Sequence, residues 1–340
     1  MFKAAVVGYG YWGPNIVRNL FESTQFTPMY VIDERLDRLE VATRRHPSLL
    51  VSQNLTDDML GEIDALFICT PASSHFEIAK RAITLGKHVW VEKPVTTNSL
   101  DALELNRLAI LNNVSVMADH TYTFSPSVKQ INDYINQGLL GKLLYYDSLR
   151  FNLGIFQPDV SVIWDLAIHD LSIIGVLHNF SQLEWVTCIG FDPLLAGQKS
   201  IATITMGFKN EFSAHITVNW LSPLKIRKVI LGGQKGSIVF DDTEPSDKIS
   251  FYSQEFKQPE GIENRISDLV SYKLGETRVP RVSNTEPLST GIGVFAESIR
   301  QSKFGQNTKG GPLLEAAKLI EILELCEKSI SEGGARIDLR

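Results

Sequence analysis

At 340 residues the chain exceeds one typical core and predicts two domains. Its 44% hydrophobic and 21% charged residues are those of an ordinary globular protein, and a net charge of −6 with no basic stripe argues against nucleic acid as a partner. No run approaches the roughly 18 apolar residues of a membrane span. No signal-peptide cleavage site follows the first apolar run, and Cys69, Cys188 and Cys326 lie too far apart for a disulfide frame or metal motif. A cytoplasmic protein with reduced cysteines, no metal and no membrane contact is expected.

Ala4–Val7 reads as a buried strand, and the glycines of Gly8-Tyr9-Gly10-Tyr11-Trp12-Gly13 follow it at GxGxxG spacing. Pro14-Asn15-Ile16-Val17-Arg18-Asn19-Leu20 then opens a helix with proline in its first turn. Gly8 permits the tight turn, Gly10 lets backbone approach a pyrophosphate, Gly13 lets helix and strand pack closely, and the helix N-terminus offers N–H groups to the phosphates. Met29–Asp33 is a second strand, and Asp33 ends it 20 residues after Gly13, where a carboxylate can accept from the adenosine ribose hydroxyls. Strand, turn, helix and acid together predict a dinucleotide site. Asp33 favours NAD over NADP by repelling a 2′-phosphate, a preference tempered by Arg35 two residues on.

Asp64–Cys69 predicts another buried strand, followed by Thr70-Pro71-Ala72-Ser73-Ser74-His75 and a helix to Leu85. His88–Val91 is the next strand, ending at Glu92-Lys93-Pro94. Ser99–Leu111 is a helix capped by Asn98 or Ser99, and Val114–Met117 a further strand. This alternation predicts a parallel sheet over residues 1–120, with a second domain over 121–340. In the latter, 126–137 and 164–178 read as helices, Leu143–Phe151 as a strand, and 184–253 as strand-like runs. Phe212–Trp220 alternates so regularly that one face of its sheet must be covered and the other polar. Residues 254–286 are polar and irregular and are expected to be a mobile loop; helices at 288–302 and 312–330 close the chain.

Ligands of an open parallel sheet bind beyond the carboxyl ends of its strands. Lys93, directly after a strand, would there stabilise an alkoxide during hydride transfer. In Trp164-Asp165-Leu166-Ala167-Ile168-His169-Asp170, a helix stacks Asp165 and His169 on one face, as a general base and its orienting acid require. His120 and Tyr122, past the last strand of the first domain, are candidate substrate contacts, as are Arg150 and Asn152 at the end of 143–151.

The string Val7-Gly8-Tyr9-Gly10-Tyr11-Trp12-Gly13-Pro14-Asn15, Thr-Pro-x-x-x-His at 70–75, Glu-Lys-Pro at 92–94 and Asp-x-x-x-His at 165–169 fall in this order. Together they resemble the glucose–fructose oxidoreductase / inositol dehydrogenase / rhizopine-catabolism (GFO/IDH/MocA) family, over essentially the whole chain. The resemblance implies an α/β protein with an N-terminal Rossmann domain and a C-terminal α/β domain built on a large, mainly antiparallel sheet. The open face of that sheet would form a homo-oligomer contact, dimer or tetramer. The family's catalytic lysine carries over onto Lys93 and its acid–histidine pair onto Asp165 and His169; some members have tyrosine at the last position. Gly8, Gly10, Tyr11, Trp12, Gly13, Asp33, Thr70, Pro71, His75, Glu92 and Lys93 would line NAD.

The implied activity is NAD-dependent oxidation of a secondary sugar hydroxyl. The Gly-Tyr-Trp-Gly-Pro-Asn loop and the 164–170 motif look most similar to members oxidising C3 of nucleotide-linked N-acetylated amino sugars, such as UDP-N-acetylglucosamine or its uronate. Arg150, Arg227 and Lys228 are scattered candidates for a diphosphate contact. The alternatives are a free-polyol or inositol dehydrogenase, a keto-sugar reductase, and a non-catalytic sugar or cofactor sensor. The intact Lys93, Asp165 and His169 weigh against the last.

Overall fold

The computed structural model describes residues 1–153, 160–195, 197–255, 273–302 and 313–339. The chain forms two compact units, one of Met1–Phe124 with Thr285–Glu324, the other of Ser125–Asn284 with Leu325–Arg340. The sequence boundary near 120 cuts the chain once, whereas the structure returns a later segment to the first unit. The reason is an uncovered sheet face.

The first unit is built on β1 (Phe2–Val7), β2 (Phe26–Ile32), β3 (Leu50–Ser52), β4 (Ala65–Ile68), β5 (His88–Val91) and β6 (Val116–Ala118). They form one parallel sheet in the order β3-β2-β1-β4-β5-β6. The intervening helices are α1 (Gly13–Glu22), α2 (Leu36–Arg45), α3 (Asp57–Glu62), α4 (His75–Thr84) and α5 (Ser99–Leu111). The strand order reverses between β1 and β4, so right-handed crossovers put α1 and α2 on one face and α4 and α5 on the other. That leaves the first face open over β4, β5 and β6. The helix Pro287–Ser302 fills it: its Leu288, Ile292, Phe295, Ala296 and Ile299 share one buried cluster with Ile16, Leu20, Phe26, Phe67 and Trp90. Phe295 meets Phe67 edge-on at 5.6 Å between ring centroids, and Trp90 at 5.7 Å.

In the second unit, α6 (Pro126–Asn136) precedes β7 (Leu143–Phe151), and a π-helical turn, Ile163–Ala167, runs into α7 (Ile168–Leu177). Then come β8 (Leu183–Phe191), β9 (Ile201–Phe208), β10 (Ser213–Asn219), β11 (Ile226–Gly233), β12 (Gly236–Asp241), β13 (Ile249–Glu255), β14 (Lys273–Arg278) and β15 (Ile337–Asp338). They form a sheet ordered β14-β13-β12-β11-β7-β10-β9-β8-β15, in which β7 and β10 pair parallel and the other described pairs are antiparallel. Along β10, Ala214, Ile216 and Val218 are buried while Ser213, His215, Thr217 and Asn219 are not, the alternation of a sheet covered on one side.

The expectation of a loop over 254–286 is corrected in part, because Lys273–Arg278 is the edge strand β14, paired with β13. Charged residues suit an edge that must not recruit another chain, which is why the segment reads as loop. Residues 256–272 of that stretch lie outside the described residues. Among the described residues no helix is long and apolar enough to cross a membrane.

Candidate functional site

In the first unit the candidate residues gather at the carboxyl ends of β1, β2, β4, β5 and β6. Gly8 adopts a left-handed φ of +93°, and a Cβ there would lie 2.5 Å from the Cys69 carbonyl oxygen. At Gly13 a Cβ would lie 2.1 Å from the Gly8 oxygen, so helix α1 and the turn touch through backbone. No side chain caps α1, and with Pro14 lacking an N–H and those of Asn15 and Ile16 donated to Trp12 O, the Gly13 N–H is the first-turn donor that faces an anion. At Gly10 an added Cβ would meet the Arg38 guanidinium at 3.3 Å. This cradle fits a dinucleotide pyrophosphate. Tyr11 is exposed beside it, and Trp12 is half-buried.

Asp33 is buried, with both carboxylate oxygens engaged inside the chain. Its carboxylate accepts from the backbone N–H of Tyr9 (2.7 Å) and of Arg35 (2.9 Å), tying the glycine turn to the end of β2, and pairs with Arg38 at 3.4 Å. Arg38, five positions after the acid and in the first turn of α2, carries no motif of its own in the sequence.

Beyond β4, Ser74 Oγ donates to Thr70 Oγ1 at 2.7 Å. The buried His75 ring bridges two carbonyls, its Nδ1 to Pro94 O and its Nε2 to Thr70 O, each 2.8 Å. His75 therefore joins the loop after β4 to the one that begins Glu92-Lys93-Pro94. The Glu92 N–H donates to Ile68 O at 2.9 Å, continuing the β4–β5 ladder to the residue before Lys93.

The next strand ends in Asp119 and His120. The Asp119 N–H donates to Val91 O at 2.7 Å, so Asp119 stands beside the Glu92-Lys93 turn. His120 is buried, and neither ring nitrogen has a hydrogen-bond partner among the described residues. Burial, then the Lys93 charge, push its imidazole down to about 4, so at neutral pH it is an uncharged group able to accept or donate a proton in a hydrogen bond. Tyr122 follows in a short 3-10 turn, Thr121–Phe124. Asp119 was not anticipated: a lone acid after a short strand carries no motif.

In the second unit, Asp165 lies in the π-helical turn and His169 in the first turn of α7, both half-buried. Asp165 Oδ2 accepts from Trp220 Nε1 at 2.9 Å, a partner 55 residues away and unanticipated. A π turn inside a helix is a frequent mark of functional sites. Arg150 differs from its expected role as a substrate contact. It is buried and held by Asp170, Nε to Oδ2 at 2.6 Å and Nη2 to Oδ1 at 3.2 Å, with Tyr146 Oη also donating to Asp170. Withdrawing Arg150 toward a ligand would strand a buried carboxylate, so its place is in the frame under α7. The Asn152 N–H donates to Asn219 O at 3.0 Å, continuing β7 beside β10.

Residues 2–120 match the family described as an oxidoreductase family with an NAD-binding Rossmann fold, GFO_IDH_MocA. An uncharacterized oxidoreductase of Streptococcus pneumoniae is 30% identical over 209 residues, 61% of this chain and 54% of that protein. UDP-N-acetylglucosamine 3-dehydrogenase of Acidithiobacillus ferrooxidans is 27% identical over 225 residues, 64% of this chain and 66% of the enzyme. The matches thus span less than two thirds of either relative. Among solved structures, UDP-N-acetylglucosamine 3-dehydrogenase from the same Acidithiobacillus has a TM-score of 0.80 at 20% identity, covering 97% of this chain and 98% of that one. An inositol dehydrogenase homologue from Azotobacter vinelandii, complexed with NADH and myo-inositol, also scores 0.80, at 18% identity, over 99% and 97%. At such identities the likeness is one of fold.

Proposed function

We propose, from the premise that the first 120 residues are the NAD-binding Rossmann domain of the GFO/IDH/MocA oxidoreductase family, that the chain is an NAD-dependent dehydrogenase of a secondary sugar hydroxyl. The observation that carries this reading is the pairing at neighbouring strand ends of Lys93 with a buried, uncharged His120, next to a cradle that only backbone and glycine can form. NAD, when bound, supplies the hydride acceptor. Lys93 stabilises the developing alkoxide, and His120 hydrogen-bonds a substrate oxygen from the adjacent strand end. His169 takes the hydroxyl proton, with Asp165 as its orienting acid; Asp165 itself accepts from Trp220.

The finer reading is oxidation at C3 of a nucleotide-linked N-acetylated amino sugar, in a homo-oligomeric, cytoplasmic enzyme. It is supported by the 27%-identical UDP-N-acetylglucosamine 3-dehydrogenase, by the glycine-turn string and by the 164–170 motif. The test is formation of reduced nicotinamide from NAD with UDP-N-acetylglucosamine, its uronate, glucose and myo-inositol, run with and without 2-oxoglutarate to release cofactor that stays bound. Turnover with sugar nucleotides alone is expected. Turnover with myo-inositol alone moves the protein to polyol oxidation, and none with any substrate abandons the reading. With an active substrate, Lys93→Ala and His169→Ala each reduce kcat by about 10²–10⁴-fold while NADH still binds; a fully active double variant refutes the assigned roles.

A further inference from the structure

We propose that Asp119 is a positioning residue that fixes the anion-binding end of α1 by gripping the Trp12 indole. Trp12 is where α1 begins: its carbonyl oxygen accepts from the Asn15 N–H at 2.8 Å. Its indole Nε1 donates to Asp119 Oδ2 at 2.9 Å, and Thr121 Oγ1 donates to Asp119 Oδ1 at 2.9 Å. Asp119 is 0% exposed, and a carboxylate withdrawn from water is costly unless its oxygens are partnered. An apolar side chain would be cheaper there on packing grounds alone. Burial pushes the Asp119 carboxyl up, while Trp12, Thr121, Trp90 and the Lys93 charge oppose that rise. The acid is tied to β5 through its own backbone, from N–H to Val91 O at 2.7 Å.

The consequence is a rigid link along the carboxyl edge of the sheet, from its centre to its β6 side. In the strand order β6 stands three places from β1, yet the Trp12–Asp119 bond joins the turn after β1 to the strand end beside Lys93. A helix start held from both backbone and side chain presents the Gly13 N–H and the positive end of the helix in one fixed direction, so less ordering remains to be done when a pyrophosphate arrives. This role rests on the reading of the glycine turn as the NAD site.

The experiment uses the full chain and two readouts. Proton NMR of the indole N–H groups tests the grip without any cofactor: of the five tryptophans, Trp12→Phe removes one resonance and so identifies it. Asp119→Asn is expected to shift that resonance upfield and Asp119→Leu to shift it further and speed its exchange. The dissociation constant for NADH, by fluorescence titration, is expected to rise about tenfold in Trp12→Phe and in Asp119→Leu. The double variant should be no worse than either alone, with Asp119→Asn restoring most of the affinity because it keeps an acceptor. Additive losses, or NADH affinity unchanged in Asp119→Leu, overturn the proposal. A wild-type chain that binds no NADH, with the Trp12 resonance still shifted in the Asp119 variants, instead overturns the NAD reading and leaves the pair itself standing.

Discussion

His120 is the titratable group whose surroundings most plainly set its charge. It is buried, pushed down to about 4 from 6.5 by burial first and by Lys93 second. A histidine with a depressed folded pKa binds its proton more tightly when unfolded. Its contribution is therefore fully present above pH 6.5 and is lost as the pH falls from there through 4. A gap of about 2.5 units corresponds to about 3 kcal/mol at one proton. Denaturant unfolding of the wild type between pH 7 and 4 should show this loss, and His120→Gln should show a correspondingly flatter profile. Equal slopes for the two proteins would mean that the ring is not held neutral. The position of His120 was legible in the sequence, since it follows a strand of a parallel sheet. Its electrostatic state was not, because that depends on Lys93 and on side chains that close around it from elsewhere in the chain. Asp119 and Arg38 escaped for the same reason: each acquires its meaning from one partner brought close by the fold, Trp12 in one case and Asp33 in the other.

Elements whose ends carry local signals agree closely with the sequence reading. The helix Ser99–Leu111 begins where expected because Asn98 caps it, its side chain accepting from the Asp101 N–H. The strand Leu143–Phe151 also keeps its expected bounds. The helix after 163 is present, but its π-helical first turn has no sequence signature, so the i,i+4 argument for Asp165 and His169 describes a turn wider than the α geometry it assumed. This helix buries Ile168, Leu171, Ile173, Ile174 and Leu177, and the buried Arg150–Asp170 pair, with both side chains at most 4% exposed, links it to β7. Removing one partner leaves a buried charge alone, a loss of about 3–5 kcal/mol. Arg150→Met should lower the unfolding free energy by that amount. Arg150→Met with Asp170→Leu should recover most of it, since a pair replaced by apolar residues loses no uncompensated charge. A double variant as unstable as the single one would show that the pair's geometry, and not its charge balance, is what the fold requires.

At the scale of the molecule, the fold class follows from alternation in the first 120 residues and from strand-like runs after them, both read from periodicity. The return of Thr285–Glu324 to the first unit could not be read that way. A helix with apolar residues at 288, 292, 295, 296 and 299 announces that it will be covered, but nothing local says by what. The answer comes from topology: crossovers of one hand leave β4, β5 and β6 bare on the face where α1 and α2 lie, and Phe67, Trp90 and Phe124 need a cover. This yields a test of the domain's true extent. A fragment of residues 1–124 would expose the aromatic cluster that Phe295 completes, where loss of one buried phenylalanine alone typically costs 3–5 kcal/mol. Such a fragment should bind a hydrophobic dye, unfold without a cooperative transition and fail to bind NADH. Joining 285–324 to it through a flexible linker should restore a cooperative transition and NADH binding. A cooperative, NADH-binding 1–124 fragment would mean that the helix Pro287–Ser302 rests on a sheet already stable without it, and that the boundary near 120 is the physical one.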